Sequence, residues 1–452
     1  MDAALRYLES NRDRFKDLLF EYLRIPSISA QKEYAHESRR AADFVQALLE
    51  DAGLEAGQFE GDGLPTVYGA RVEDESKPTL LVYGHYDVQP AEPLELWETP
   101  PFEPTIVDGE IRARGCADDK GPSLAMALAV ECLVKGGGGS LPVNLRFILE
   151  GEEECGGPVV EQYLRAHQEE LKADAVVIAD TSGLSKGTPA LCYGLRGLVA
   201  TEITVTGPAR DLHSGTYGGT LANPATALAQ LVASLHDAEG RVAVDGFYDG
   251  VMDVDDAERA RVARIPFDEA AYLEETGTPA LYGEAGYTTL ERKGSRPTCE
   301  VNGLFGGYSG EGVKTIVPAR AGAKITCRLV PGQDPERVAA ALKAHFERHC
   351  PEGVRLEVEA GHRAPAVYTN PETTWAKAAR AAMEKAFGVP AALTREGGSI
   401  PVVNVFDAVL GTQPLLLGTY TPGEKAHSPN ERYFLEDFYA AIRTGIHLFG
   451  GA

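Results

Sequence analysis

Histidines and carboxylates in this sequence fall at the ends of short apolar runs. Tyr83 is followed by Gly84-His85-Tyr86-Asp87, and Leu149 by Glu150-Gly151-Glu152-Glu153-Glu154. Ala179 is followed by Asp180, and a short loop after Leu417 reaches His427. A further acid pair, Asp118-Asp119, precedes a helical stretch that starts at Gly121-Pro122. Two imidazoles with three or four carboxylates and no thiolate form a donor set for a pair of divalent cations of the zinc type. Carboxylates gathered in one place repel one another and need a cation to neutralise them. Asp87, two residues beyond His85, can hold the second ring nitrogen and fix the tautomer. Each piece alone is weak, because His-x-Asp arises by chance and an acidic run is ordinarily a solvated face. The Glu152-Glu153-Glu154 run differs in following an apolar strand pattern and preceding Gly156-Gly157.

Periodicity predicts the elements that must position these groups. Continuous apolar runs at 80–83, 145–149, 175–179 and 415–417, interleaved with helical stretches such as 122–134, read as buried strands of a largely parallel sheet. Ligands bind beyond the carboxyl ends of such strands, so groups distant in sequence can converge in one crevice. Upstream, apolar spacing predicts one helix over 4–25, ended by Pro26, and another over 33–52 with Gly53 just past its end. Residues 198–360 change character. Strands at 199–206, 323–330 and 354–359 alternate apolar and polar residues, and helices start at Asn223-Pro224 and Pro335. One-sided strands with helices describe a smaller α+β unit with a split βαβ order. The fold class is therefore α/β, a mostly parallel-sheet domain (1–196 and 362–452) interrupted by a smaller α+β domain (197–361). The acidic stretch 240–295 has no role that the pattern reveals.

The chain has 452 residues, 44% hydrophobic and 24% charged, with a formal net charge of −24. That length suits two or three domains. A body this acidic repels phosphate backbones, so neither nucleic acid nor an anionic membrane surface is an expected partner. No apolar run approaches the ~20 residues of a membrane helix, and the charged start from Met1 to Phe20 is no signal peptide. The seven cysteines are widely spaced without a C-x-x-C pair, which fits a reducing cytoplasm. His345 and His349 lie i, i+4 on a helix, but His-Phe-Glu-Arg-His is not a zincin motif, and both read as boundary histidines. Without a G-x-S-x-G elbow, a serine hydrolase is unsupported. Cys116 and Cys155 lie beside acidic motifs and read as packing residues.

Five motifs, in order, resemble the M20 metallopeptidases. They are Gly84-His85-Tyr86-Asp87, Arg114-Gly115-Cys116-Ala117-Asp118-Asp119-Lys120-Gly121, Glu150-Gly151-Glu152-Glu153-Glu154, Asp211-Leu212-His213-Ser214-Gly215 and Ala426-His427-Ser428-Pro429-Asn430-Glu431. The segments Thr394-Arg395-Glu396-Gly397-Gly398-Ser399-Ile400-Pro401 and Cys327-Arg328-Leu329-Val330-Pro331 resemble the branch of cytosolic non-specific dipeptidases and carnosinases. The resemblance implies two divalent metal ions per subunit, Zn2+ with Mn2+ or Co2+ as alternatives. Asp118 would bridge them, His85 and Asp180 would complete one site, and Glu154 and His427 the other. Glu153 would be the general base for a metal-bridging hydroxide, Asp87 would orient His85, and Glu152 is unassigned. A cis peptide is implied at Asp118-Asp119. The inserted domain would be a lid and dimerisation module of a homodimer, with His213 acting on the partner's oxyanion. Arg328 would fork onto the α-carboxylate of a small peptide; Thr315 would sit near the carbonyl, and Glu396 and Ser399 would line the pocket. The activity implied is hydrolysis of dipeptides with a free C-terminal carboxylate. The alternatives are an N-acyl-amino-acid amidohydrolase or glutamate-releasing carboxypeptidase of the same family, and a non-enzymatic metal-binding or scaffold protein.

Overall fold

The structure is a computed structural model that describes residues 1–398 and 400–451. The chain forms two compact units, one of Met1–Tyr193, Thr369–Thr394 and Pro401–Ala452, the other of Gly194–Tyr368 and Arg395–Ile400. The short return of Arg395–Ile400 to the smaller unit has no periodic signal in the sequence.

The larger unit is built on a twisted sheet whose middle four strands, Asn144–Glu150, Thr79–His85, Ala175–Ser182 and Pro414–Tyr420, are adjacent in that order. All three pairings among them are parallel. These are the continuous apolar runs, and Thr79–His85 and Pro414–Tyr420 are buried along nearly their whole length, as strands covered on both faces must be. Glu55–Phe59 and Thr66–Arg71 extend one side and Ala190–Leu195 the other, all by antiparallel pairing. The parallel pairings described are those among the four central strands. Helix Lys120–Glu131 is buried throughout and packs against Leu435–Phe449. Gly445 permits that approach, since a Cβ there would lie 2.5 Å from the Ala129 Cβ.

The single helix expected over 4–25 is two, Asp2–Ser10 and Arg12–Leu23. Asn11 breaks the run: its side-chain amide donates to the Tyr7 carbonyl at 2.8 Å while its carboxamide oxygen accepts from Arg14 Nε at 3.1 Å. Asn side chains compete for backbone groups in this way and so favour helix boundaries.

The smaller unit holds a four-stranded antiparallel sheet in the order Thr298–Gly306, Arg320–Leu329, Gly197–Thr206, Arg355–Ala364. Helices Pro224–Ala233 and Pro335–His349 contribute Leu228, Leu231, Val338, Leu342 and Phe346 to its core, against Val199, Ile203, Ile325 and Cys327 of the strands. Both helices start with an Asx cap before proline. Asn223 accepts from Ala225 and Thr226 N–H, and Asp334 from Glu336 N–H. The 240–295 stretch is partly structural, as Val242, Val244 and Phe247 join the same core. His345 is also interior, its Nε2 2.9 Å from Ser234 Oγ, which accounts for a histidine beside an apolar stripe without any metal role. Among the described residues, no helix is long and apolar enough to cross a membrane.

Candidate metal centre

Five side chains from five separate segments of the larger unit meet at the carboxyl ends of its parallel strands. His85 ends strand Thr79–His85, and Asp180 lies near the end of Ala175–Ser182. Asp118 precedes the helix that begins at Lys120, Glu154 sits in the turn after strand Asn144–Glu150, and His427 lies on the loop beyond Pro414–Tyr420. They form two triads, His85/Asp118/Asp180 and Asp118/Glu154/His427, in each of which one donor atom per residue lies within 4.8 Å of the others. Asp118 belongs to both. Its Oδ1 is 3.1 Å from His85 Nε2, and its Oδ2 is 3.0 Å from His427 Nε2. His427 Nε2 is also 3.1 Å from Glu154 Oε2, and His85 Nε2 is 3.9 Å from Asp180 Oδ2. Gly84 is required beside this cluster, because a Cβ there would lie 2.7 Å from Asp119 Oδ2 and 2.8 Å from Ser123 Cβ. The Asp118-Asp119 peptide is cis, as the motif resemblance implies.

Asp87 ties two of these segments together. His85 Nδ1 is 3.1 Å from the Asp87 carbonyl and 3.3 Å from its Oδ1. The same carboxylate accepts from Ser29 Oγ at 2.6 Å, from Glu154 N at 3.1 Å and from Glu153 N at 3.3 Å. With Nδ1–H given to Asp87, the His85 Nε2 lone pair points at two carboxylates. Likewise, one N–H on His427 cannot serve Asp118 and Glu154 equally. Imidazole nitrogens crowded by carboxylates in both triads are the arrangement a cation between them would satisfy. The same carboxylates favour the protonated forms of the two imidazoles. Hydrogen bonds to Asp118 and Glu154 raise His427 to about 10, and His85 is raised well above its ordinary range by Asp118 and Asp87 against the opposing effect of its burial. Asp180 is likewise raised, by burial and by the charge of Asp118. The donor set fits divalent metals.

Within the Glu run, Glu154 is the residue that joins a triad, with Gln89 Nε2 donating to its Oε2 at 2.8 Å. The Glu153 carboxyl is half-buried beside it. Burial raises it to about 7, with Glu154, Asp118 and Asp87 adding to the shift and His85 opposing it. Glu152 instead packs against Gly63 and Gly157.

The remaining candidates lie in the smaller unit. His213 is exposed at the end of the two-residue strand Leu212–His213, and its Nδ1 accepts from Gly215 N–H at 2.9 Å. Thr315 is its neighbour there, its carbonyl accepting from Ser214 N–H at 3.0 Å. Arg328 lies half-buried on strand Arg320–Leu329. Sequence reasoning missed its companion, Arg196. Burial and the charge of Arg328 lower Arg196 to about 10, a sign of two guanidinium groups close together. Arg196 N–H donates to the Glu396 carbonyl at 3.3 Å, which joins Arg196 to the Gly-rich loop. Arg196 follows an apolar strand directly, as the other candidates do, and that was the signal available. Ser399 lies outside the described residues.

Comparison with known proteins identifies the family. Residues 81–449 match the family described as Peptidase family M20/M25/M40. The Cys-Gly metallodipeptidase dug1 of Schizosaccharomyces pombe is 33% identical, over 99% of this chain and 98% of that one. The Beta-Ala-His dipeptidase of Rattus norvegicus is 30% identical, over 96% of this chain and 91% of the relative. A solved M20 family metallo-carboxypeptidase, Sso-CP2 from Sulfolobus solfataricus, superposes with a TM-score of 0.83 at 33% identity, covering 96% of this chain and 98% of that one. A mixed α/β fold with a centrally parallel sheet, carrying two acid–histidine triads, is thus that of a metallopeptidase. The chain belongs to peptidase family M20, and its likeness to the branch that holds the dipeptidases and carnosinases stands.

Proposed function

We propose that this enzyme hydrolyses the peptide bond of dipeptides with a free C-terminal carboxylate. The observation that carries the reading is the sharing of Asp118 by two triads, which gives each of two cations its own histidine and one carboxylate in common. His85 and Asp180 would hold one ion and Glu154 and His427 the other, with Zn2+ the best match to the donors and Mn2+ or Co2+ alternatives. When bound, such a pair lowers the pKa of water and polarises a carbonyl. Asp87 keeps the His85 ring in one tautomer. Glu153 accepts the proton of the attacking water and passes it to the leaving nitrogen, a task suited to a carboxyl raised to about 7.

The smaller unit supplies the groups that act on substrate. His213 donates to the developing oxyanion, with Thr315 beside it. Arg328 forks onto the α-carboxylate, and Arg196 adds a second guanidinium there. Glu396 pairs with the substrate ammonium, and Ser399 lines the same loop. A preference for free over N-acylated substrates follows from an acid at that position. Purified protein reconstituted with Zn2+, Mn2+ or Co2+ is expected to cleave free dipeptides faster than their N-acetyl forms, measured as kcat/KM. Faster turnover of the acetylated compounds would favour the amidohydrolase alternative. Release of C-terminal residues from longer peptides at comparable rates would favour a carboxypeptidase, the activity named for the Sulfolobus solfataricus structure.

We further place the enzyme as a homodimer in which His213 serves the partner's site. In support, the smaller unit has an apolar groove of about 400 Å³ between helix Pro224–Ala233 and edge strand Thr298–Gly306, lined in part by Leu228, Val232, Leu304 and Phe305. Leu304 is 64% exposed on that edge. Co-expression of a His213→Ala chain with a Glu153→Gln chain is expected to restore part of the activity that each lacks alone, through mixed dimers with one intact site. Activity no greater than the sum of the single variants would refute the shared site. The seven cysteines are all free thiols, which supports a cytoplasmic location, and the net charge of −24 supports neither nucleic acid nor membrane as partner.

A further inference from the structure

Arg114 and Glu431 lie 317 residues apart in sequence and form a buried ion pair, Nη1 to Oε2, at 2.7 Å. A buried pair of this kind contributes little net stability over a well-packed apolar pair, so its contacts are the informative feature. The Glu431 carboxylate also accepts three backbone N–H groups: Gly115 at 2.8 Å, Ala117 at 2.9 Å and Asp118 itself at 3.2 Å. The second guanidinium nitrogen of Arg114 donates to the Ser428 carbonyl at 3.2 Å, next to His427, and to the Pro90 carbonyl at 3.3 Å, on the segment that leaves His85 and Asp87. The His427 loop needs such a hold. Lys425, His427 and Asn430 all have φ near +60°, a region uncommon for L-residues other than Asn, Asp and His, so three such residues in six positions describe a tightly turned loop.

We propose that Arg114 and Glu431 act as a positioning clasp, which fixes the Asp118 loop against the His427 loop and the His85 segment and thereby sets the geometry of both metal triads. Neither side chain coordinates an ion. The proposal rests on the two-metal reading above. It predicts that the pair determines how tightly the ions are held, since groups that orient ligands typically control metal affinity by 10- to 100-fold. The requirement is geometric: Glu431 must offer two full acceptor oxygens, and Arg114 two donor nitrogens on one rigid fork.

The test measures Zn2+ affinity by competition with a chromophoric chelator on the full chain, alongside the visible absorption of the Co2+-substituted protein. Glu431→Gln replaces one acceptor oxygen with a donor amide facing backbone N–H groups. It is expected to weaken Zn2+ binding 10- to 100-fold and to shift the Co2+ bands, with kcat falling and KM little changed. Arg114→Lys keeps the charge but not the fork and is expected to fall between wild type and Arg114→Met. A folded Glu431→Gln protein, by circular dichroism, with wild-type Zn2+ affinity and Co2+ spectrum would overturn the clasp. Should Glu431→Gln fail to fold, the same two measurements on Arg114→Lys decide, and wild-type values there overturn it equally. Failure of the underlying reading is distinguishable, because it would show in the wild-type protein as fewer than two Zn2+ per chain or no peptide hydrolysis.

Discussion

Glu153→Gln is expected to lower kcat for dipeptide hydrolysis by about 10²- to 10⁴-fold, the range a positioned general acid–base group supplies, while the protein keeps two metal ions per chain. The substitution is nearly isosteric and removes only the capacity to take up a proton. The Glu153 carboxyl is raised to about 7 by its burial among other carboxylates, so the proton it accepts can be released again to a leaving amine. The two candidate metal triads do not include it; Glu154 occupies that place, 3.1 Å from His427 Nε2. Steady-state kinetics combined with metal analysis check the prediction. A variant that turns over at the wild-type rate would remove Glu153 from the mechanism, and one that loses metal would make it a ligand. Glu152→Gln is the internal control. That side chain packs against Gly63 and Gly157, and the change is expected to leave kcat near wild type.

Asp118→Asn should have the largest effect on metal content. Each oxygen of this carboxylate faces a different histidine, Oδ1 toward His85 and Oδ2 toward His427. An amide keeps one neutral oxygen and presents an NH₂ group where the other stood, so one triad loses its Asp118 donor and the other keeps only an uncharged one. Even changes in groups that merely orient ligands cost 10- to 100-fold in affinity, so loss of a shared ligand is expected to exceed about 100-fold and to bring activity to background. His427→Asn, by contrast, removes a donor from one triad only and is expected to leave one tightly held ion. Metal stoichiometry after dialysis, by mass spectrometry, separates the two outcomes. Two tightly bound ions in Asp118→Asn would contradict the bridging arrangement.

Much of this architecture is legible in the sequence. Continuous apolar runs identify the buried central strands because a strand covered on both faces has no polar positions to spare. Alternation identifies the smaller sheet because one of its faces meets solvent, and Asn223-Pro224 and Asp334-Pro335 mark helix starts through the local chemistry of capping. The histidines and acids could be assembled in prospect because each lies at, or within a loop of, the end of one of those strands or the start of a helix. These are local signals, read within a few residues.

What lay beyond them depends on residues that meet only after folding. The antiparallel edges of the large sheet follow from strand order, which periodicity does not encode. The break at Asn11 depends on whether its amide finds the Tyr7 carbonyl, and the packing of Val242, Val244 and Phe247 on whether a core exists to receive them. Arg196 gained meaning only beside Arg328, and Arg114 only beside Glu431, 317 positions later. Sequence alone determined most of the elements and the stock of candidate metal-binding side chains, because backbone preference and residue chemistry are properties of short segments. Tertiary structure alone decided which oxygen of Asp118 faces which histidine and what holds the loops in register, because those are distances between segments that the chain brings together only in the folded state.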